Sequence, residues 1–147
     1  MADFTLQALN DEIDTDTQAL GYKTGGVWKG DQVIADLINA VGFTVNHRQV
    51  DTGAIRGVTT YDAYDGLTAS EEAWFSWLTQ NGVIPVNDDT LVNLAGIGGT
   101  SKWAVGDRPT MEPRMTALMQ FQGSRAEVLW GEGRRVTASD VGQAANL

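Results

Sequence analysis

Thr68-Ala-Ser-Glu71-Glu72-Ala-Trp74-Phe75-Ser-Trp77-Leu78 contains a threonine three residues ahead of a glutamate, the pattern of a capping box. The hydroxyl accepts from the amide three residues on, and the carboxylate reaches back to the threonine's own amide. Apolar residues follow closely, so the spacing predicts a helix over 69–80, stopped by Asn81-Gly82. Thr52 and Thr60 precede it at intervals of eight residues, each ahead of a short stretch of mixed polarity, and predict two more capped helices. The interval is a rhythm of caps rather than a repeat, because the residues between do not match. The same box returns in Ser124-Arg-Ala-Glu127-Val-Leu-Trp130-Gly131, where Val128, Leu129 and Trp130 are expected to supply the buried face. Arg125 sits in the first turn, where the helix dipole disfavours a cation. A carboxylate partner elsewhere in the chain is therefore expected.

Outward from these two stretches the reading stays helical. Asp3 is read as the cap of a helix to Ile13 carrying Leu6, Leu9 and Ile13 at spacings of three and four. A short turn before Gly21 and a tight loop around Gly25-Gly26 follow. Asp31 is read as the cap of a helix whose stripe is Val33, Ile34, Leu37, Ile38 and Val41, ended by Gly42. Phe43 to Val50 alternates loosely and suits a short extended segment, as does Val83-Ile-Pro85-Val86. Asn87 or Asp88 is expected to cap a helix with Leu91, Val92, Leu94 and Ala95, ended by Gly96, Gly98 and Gly99, with a loop through Asp107. Thr110 with Pro113 in the first turn opens a helix with the stripe Met111, Met115, Leu118 and Met119, stopped by Gly123. Thr137 or Ser139 caps a last helix through Ala145. The expectation is an all-α fold, six to eight short helices with little or no sheet, in one compact domain over residues 1–147.

Composition narrows the function classes. The 147 residues are 42% hydrophobic and 20% charged, which excludes wholesale disorder. With no cysteine and a single histidine, His47, thiolate zinc sites, iron–sulfur clusters, disulfides, thiol nucleophiles and multi-histidine metal sites are excluded. No apolar run approaches the roughly 20 residues that span a bilayer, and no basic-then-apolar leader opens the sequence. The formal charge is −9, concentrated toward the N-terminus: residues 1–40 hold seven acids and two bases, residues 110–147 four of each. Such a chain repels polyanions.

The chemical motifs are weak. Gly96-Ile-Gly-Gly-Thr-Ser-Lys102 lacks the spacing of a phosphate loop and follows a helical segment rather than a strand. Counted from Asp14, a calcium loop has Gln18 at its fifth position but would need glycine where Ala19 stands and a bidentate glutamate where Gly25 stands. Glu71-Glu72 and Asp62 with Asp65 are carboxylate pairs of the kind used in glycoside hydrolysis, but Glu71 already serves a cap. His47 has no nucleophile elbow beside it. No catalytic, cofactor-binding or metal-ligating residue is assigned, and an enzyme is not expected. Trp74, Phe75 and Trp77 spread apolar surface too widely around one helix for a single core contact. Aromatic residues are enriched at subunit contacts, so these three, with Trp28 and Trp103, are the interface candidates.

Three segments resemble a family of small tailed-bacteriophage proteins: Asp16-Thr-Gln-Ala-Leu-Gly-Tyr22, Asp31-Gln-Val-Ile-Ala-Asp-Leu-Ile-Asn39, and Ser124 to Gly131 with Val136 and Asp140-Val141. Many members have proline where Thr17 stands, and residues 43–123 share only the rhythm of capped helices. The resemblance implies a non-enzymatic virion structural protein, made in the host bacterial cytoplasm. Its partners would be itself, as a ring homo-oligomer at the head-to-tail neck, and portal or tail components; no specific nucleic-acid or membrane binding is expected. The alternatives are a capsid decoration or tail-tip adaptor protein, or a small non-packaged hydrolase or host-interaction factor.

Overall fold

The structure, a computed structural model, describes residues 2–80, 82–87 and 108–147. In chain order the described elements are α1 (Leu6–Thr15), β1 (Lys23–Thr24), β2 (Val27–Trp28), α2 (Asp31–Asn39), β3 (Val41–Asn46), β4 (Gln49–Asp51), α3 (Thr52–Val58), α4 (Tyr61–Asp65), α5 (Ala69–Leu78), β5 (Val83–Pro85), α6 (Arg108–Met119), β6 (Gln120–Ser124), α7 (Arg125–Trp130) and α8 (Ala138–Ala145). The expected helix at 91–95, the loop at 96–107 and Trp103 lie outside the described residues.

The all-α expectation is overturned. Among the described residues six strands form three two-stranded sheets, β1–β2, β3–β6 and β4–β5, so the fold is mixed α/β. The reasons are local at one sheet and long-range at the others. Gly25 and Gly26 both take positive φ, the backbone of the tight turn that suits antiparallel strands, and the expected loop is therefore a hairpin with Lys23 opposite Trp28. The predicted helix through Val41 stops at Asn39, and Val41 opens β3 with its side chain exposed. At the other end of the chain, the expected helix up to Gly123 stops at Met119, and residues 120–124 pair with β3 instead. Both extended segments expected at 43–50 and 83–86 carry strands. β4 and β5 run antiparallel with Val50 opposite Ile84, both buried.

Packing divides the chain into two units, Met1–Val45 with Gln122–Leu147, and Asn46–Phe121. In the first, Leu9 and Ile13 of α1, Ile34, Ala35 and Ile38 of α2, Ala126 of α7, and Val141 and Ala144 of α8 pack around Tyr22 and Val136. In the second, Ile55 of α3, Phe75 of α5, Val50, Ile84, Leu67, Met115 and Met119 form the core.

The caps hold where a side chain and its amide lie three residues apart. Thr68 with Glu71, Ser124 with Glu127, and Thr137 with Asp140 are complete capping boxes. Elsewhere they move by a residue or two: Thr5 rather than Asp3 caps α1, Asp51 rather than Thr52 caps α3, and Asp31 is the first residue of α2 behind Gly30. Pro113 lies inside α6 rather than in its first turn. In α7 the buried residue is Ala126, while Val128 is exposed.

Candidate functional site

The acidic run at the end of α1 does not converge on a cation. Each of its four carboxylates has its own partner. Asp11 Oδ1 accepts from Gln7 Nε2 at 2.9 Å. Both Glu12 oxygens accept from Arg125. Asp14 Oδ1 accepts from Lys23 Nζ and Trp28 Nε1, each at 2.9 Å, and those two donors hold its carboxyl below the usual range. Asp16 ends the helix in the left-handed region, φ 41. Its carboxylate gathers the next turn of chain, accepting from the amides of Leu20 at 2.7 Å, Gly21 at 2.8 Å and Tyr22 at 3.4 Å. Among the described residues, no group of three or more histidine, aspartate or glutamate side chains is placed to hold a metal ion.

Glu12 and Arg125 form the centre of this unit. Glu12 is only 8% exposed, and its carboxylate takes the two parallel hydrogen bonds that a guanidinium fork offers. Tyr22 donates its hydroxyl to Glu12 Oε1 at 3.5 Å, and Arg125 Nη2 reaches Thr17 Oγ1 at 3.2 Å. Burial raises the Tyr22 pKa, and the charges of Glu12 and Asp16 raise it further. The hydrogen bond to Glu12 raises that of Arg125. A tyrosine held neutral and an arginine held charged make a closed ion-pair network rather than an acid–base couple.

Two further bonds bring in the other segments. Asn39 closes on the backbone of Val136 from both sides, Nδ2 to the carbonyl at 2.6 Å and Oδ1 from the amide at 2.9 Å. Asn10 Nδ2 donates to the Ala144 carbonyl at 2.9 Å. Residues 16–22, 31–39 and 124–141, separated along the chain, thus meet in one unit through Thr17, Asn39 and Arg125. The partner expected for Arg125 is present, but sequence reasoning did not identify it. The signal was position: Glu12 lies three residues after Leu9 and next to Ile13, on the buried face of α1, where a carboxylate needs a partner.

In the other unit, the aromatic candidates separate. Phe75 is 4% exposed in the core, facing Tyr64 edge-on with ring centroids 6.0 Å apart. Trp74 is half-buried against the same core. Trp77 is 62% exposed. Trp28, in the first unit, is half-buried and tied to Asp14. The Glu71-Glu72 pair has separate structural tasks: Glu71 accepts from the Thr68 amide at 3.0 Å, and Glu72 from the Tyr64 hydroxyl at 3.0 Å; the Asp62 side chain lies outside the described residues. His47 stacks on Phe121 with centroids 4.7 Å apart. An open groove of about 390 Å³ runs beside α4 and α5, with Arg56, Tyr61, Tyr64 and Ser76 in its walls. Arg56 Nε is steadied there by Thr79 Oγ1 at 3.2 Å.

No protein-family model, curated protein or solved structure matches the chain.

Proposed function

We propose that this chain is a non-enzymatic structural protein of a tailed-bacteriophage virion, a subunit of an oligomeric ring at the head-to-tail neck. The observation that carries the reading is how the side chains of the three resembling segments are used. Asn39 and Arg125 each bond another stretch of the same unit, and Asp16 closes the turn within its own segment, which suits a scaffold whose motifs maintain shape. Trp77 and Tyr61 stand exposed on the other unit, and large aromatic surface of that kind favours subunit contact. Heterologous contacts between identical chains close into a ring when the rotation permits. A net charge of −9 suits a conduit wall, because it keeps DNA from adhering as it passes. No helix among the described residues is long and apolar enough to cross a membrane.

The test is the mass of the purified protein in solution, by light scattering, together with mass spectrometry of purified particles. A ring-sized assembly and presence in the virion are expected. A strict monomer absent from particles overturns the reading.

A further inference from the structure

Between α7 and α8 the first unit has a partly open cavity of about 150 Å³, with Arg134 and Arg135 in its wall beside Asn39, Ser124 and Glu127. The other polar groups of that wall are already bonded. Asn39 holds Val136. Glu127 accepts from the Ser124 amide and hydroxyl and from the Gly133 amide. The arginines differ. Among the described residues neither guanidinium donates a hydrogen bond or enters an ion pair, and Arg134 Nε is buried without an acceptor. Arg134 is held in place by the Phe4 ring, its guanidinium carbon 3.7 Å from the ring centroid, while Arg135 is exposed. One guanidinium held against an aromatic ring and a second, exposed one beside it, both without acceptors and next to polar groups that are satisfied, form a site for a carboxylate.

We propose that this site takes Asp11 of a second copy of the chain, which makes it one half of a head-to-tail contact. The inference rests on the ring reading above and adds the residues that join neighbours. Charge complementarity calls for an exposed carboxylate, and at the end of α1 that is Asp11, which also borders a pocket. Of the four carboxylates ending α1, those of Glu12, Asp14 and Asp16 are bound to arginine, to lysine and tryptophan, and to three backbone amides. Asp11 is exposed and accepts only the Gln7 amide at one oxygen. Shape agrees with charge. Asp11 borders an open pocket of about 280 Å³ with Ala8, Leu129 and Trp130 in its wall, and Val41, exposed at the arginine cavity, is an apolar side chain that such a pocket accommodates. The two patches share no lining residue, as a heterologous contact requires.

Sedimentation velocity across a concentration series tests it on the full chain. Wild type is expected to self-associate, less tightly in 0.5 M than in 0.05 M salt, because exposed charge contacts are screened. Arg135→Glu and Asp11→Lys are each expected to weaken association at least about tenfold, since like charges then face each other. The double variant Asp11→Lys/Arg135→Glu is expected to return to within about threefold of wild type. Circular dichroism melts check that every variant is folded. A wild type that associates while either single variant associates equally well overturns this contact and leaves the ring reading standing, as does a double variant that fails to recover. A wild type that stays monomeric at every concentration overturns both.

Discussion

Glu12 and Arg125, 113 residues apart in sequence, meet through two parallel hydrogen bonds, Nε to Oε1 at 2.8 Å and Nη2 to Oε2 at 2.9 Å. Their side chains are 7% and 11% exposed. Removing one partner of a buried pair leaves the other charge uncompensated, at a cost of about 3–5 kcal/mol. Glu12→Ala and Arg125→Ala are each expected to lose stability on that scale in urea unfolding. Glu12→Ala/Arg125→Ala is expected to cost clearly less than their sum, the mark of a direct interaction. Additive losses would show that the two residues act independently.

Tyr22 makes the same network sensitive to alkali. Its folded pKa is raised by burial and by the neighbouring carboxylates, whereas the unfolded phenol titrates near ~10. Above that pH the unfolded state loses a proton that the folded state keeps, so stability falls as pH rises through the unfolded value. Tyr22→Phe is expected to flatten the decline in unfolding midpoint between about pH 9 and 11, whatever its effect at neutrality.

Glu127 has the opposite sign. Burial works against its charge, but the Ser124 and Gly133 amides and the Ser124 hydroxyl outweigh burial and lower its pKa. The stabilisation is therefore complete above the unfolded glutamate value of about 4.3 and disappears as pH falls through the lower folded value. Glu127→Gln should be less stable than wild type at pH 7 and should lose less of its remaining stability on acidification. Urea midpoints at pH 7, 5, 4 and 3 measure both effects.

Asp16 is a cap whose backbone conformation matters as much as its charge. Asp16→Ala removes the acceptor of three amides and leaves a β-carbon at φ 41, with an expected cost of about 1–2 kcal/mol. Asp16→Asn retains an oxygen acceptor and a residue type that tolerates the left-handed region, so it should cost less. If the two variants unfold at the same urea concentration, the side-chain acceptor contributes nothing.

Phe75 and Trp77, two residues apart on α5, should respond in opposite ways. Phe75→Ala empties the core of its unit and is expected to cost about 3–5 kcal/mol. Trp77→Ala, at an exposed position, should change stability by no more than about 0.5 kcal/mol and, on the proposed ring reading, should weaken self-association measured by light scattering. A large loss of stability from Trp77→Ala would place its indole in packing instead.

Much of this fold was legible where the physics is local. The capping boxes at Thr68 and Ser124 each need only a hydroxyl, an amide and a carboxylate within four residues, so their helices begin where the pattern places them. Of the two caps open for the last helix, the structure uses Thr137. The need of Arg125 for a carboxylate was legible for the same reason, from its place in a first helical turn. Its partner was not, because nothing in an acidic run marks which member the fold will bury. The strands were missed on the same ground. Val41–Asn46 and Gln120–Ser124 are extended because each supplies the other's hydrogen bonds across more than seventy residues of chain, and in isolation both were read as helix ends or loosely extended chain. Phe75 and Trp77 have nearly the same apolar character, yet one is core and the other surface. Composition and periodicity identify which groups must find partners, whereas burial and pairing depend on which distant segments the packed chain brings within about three ångströms.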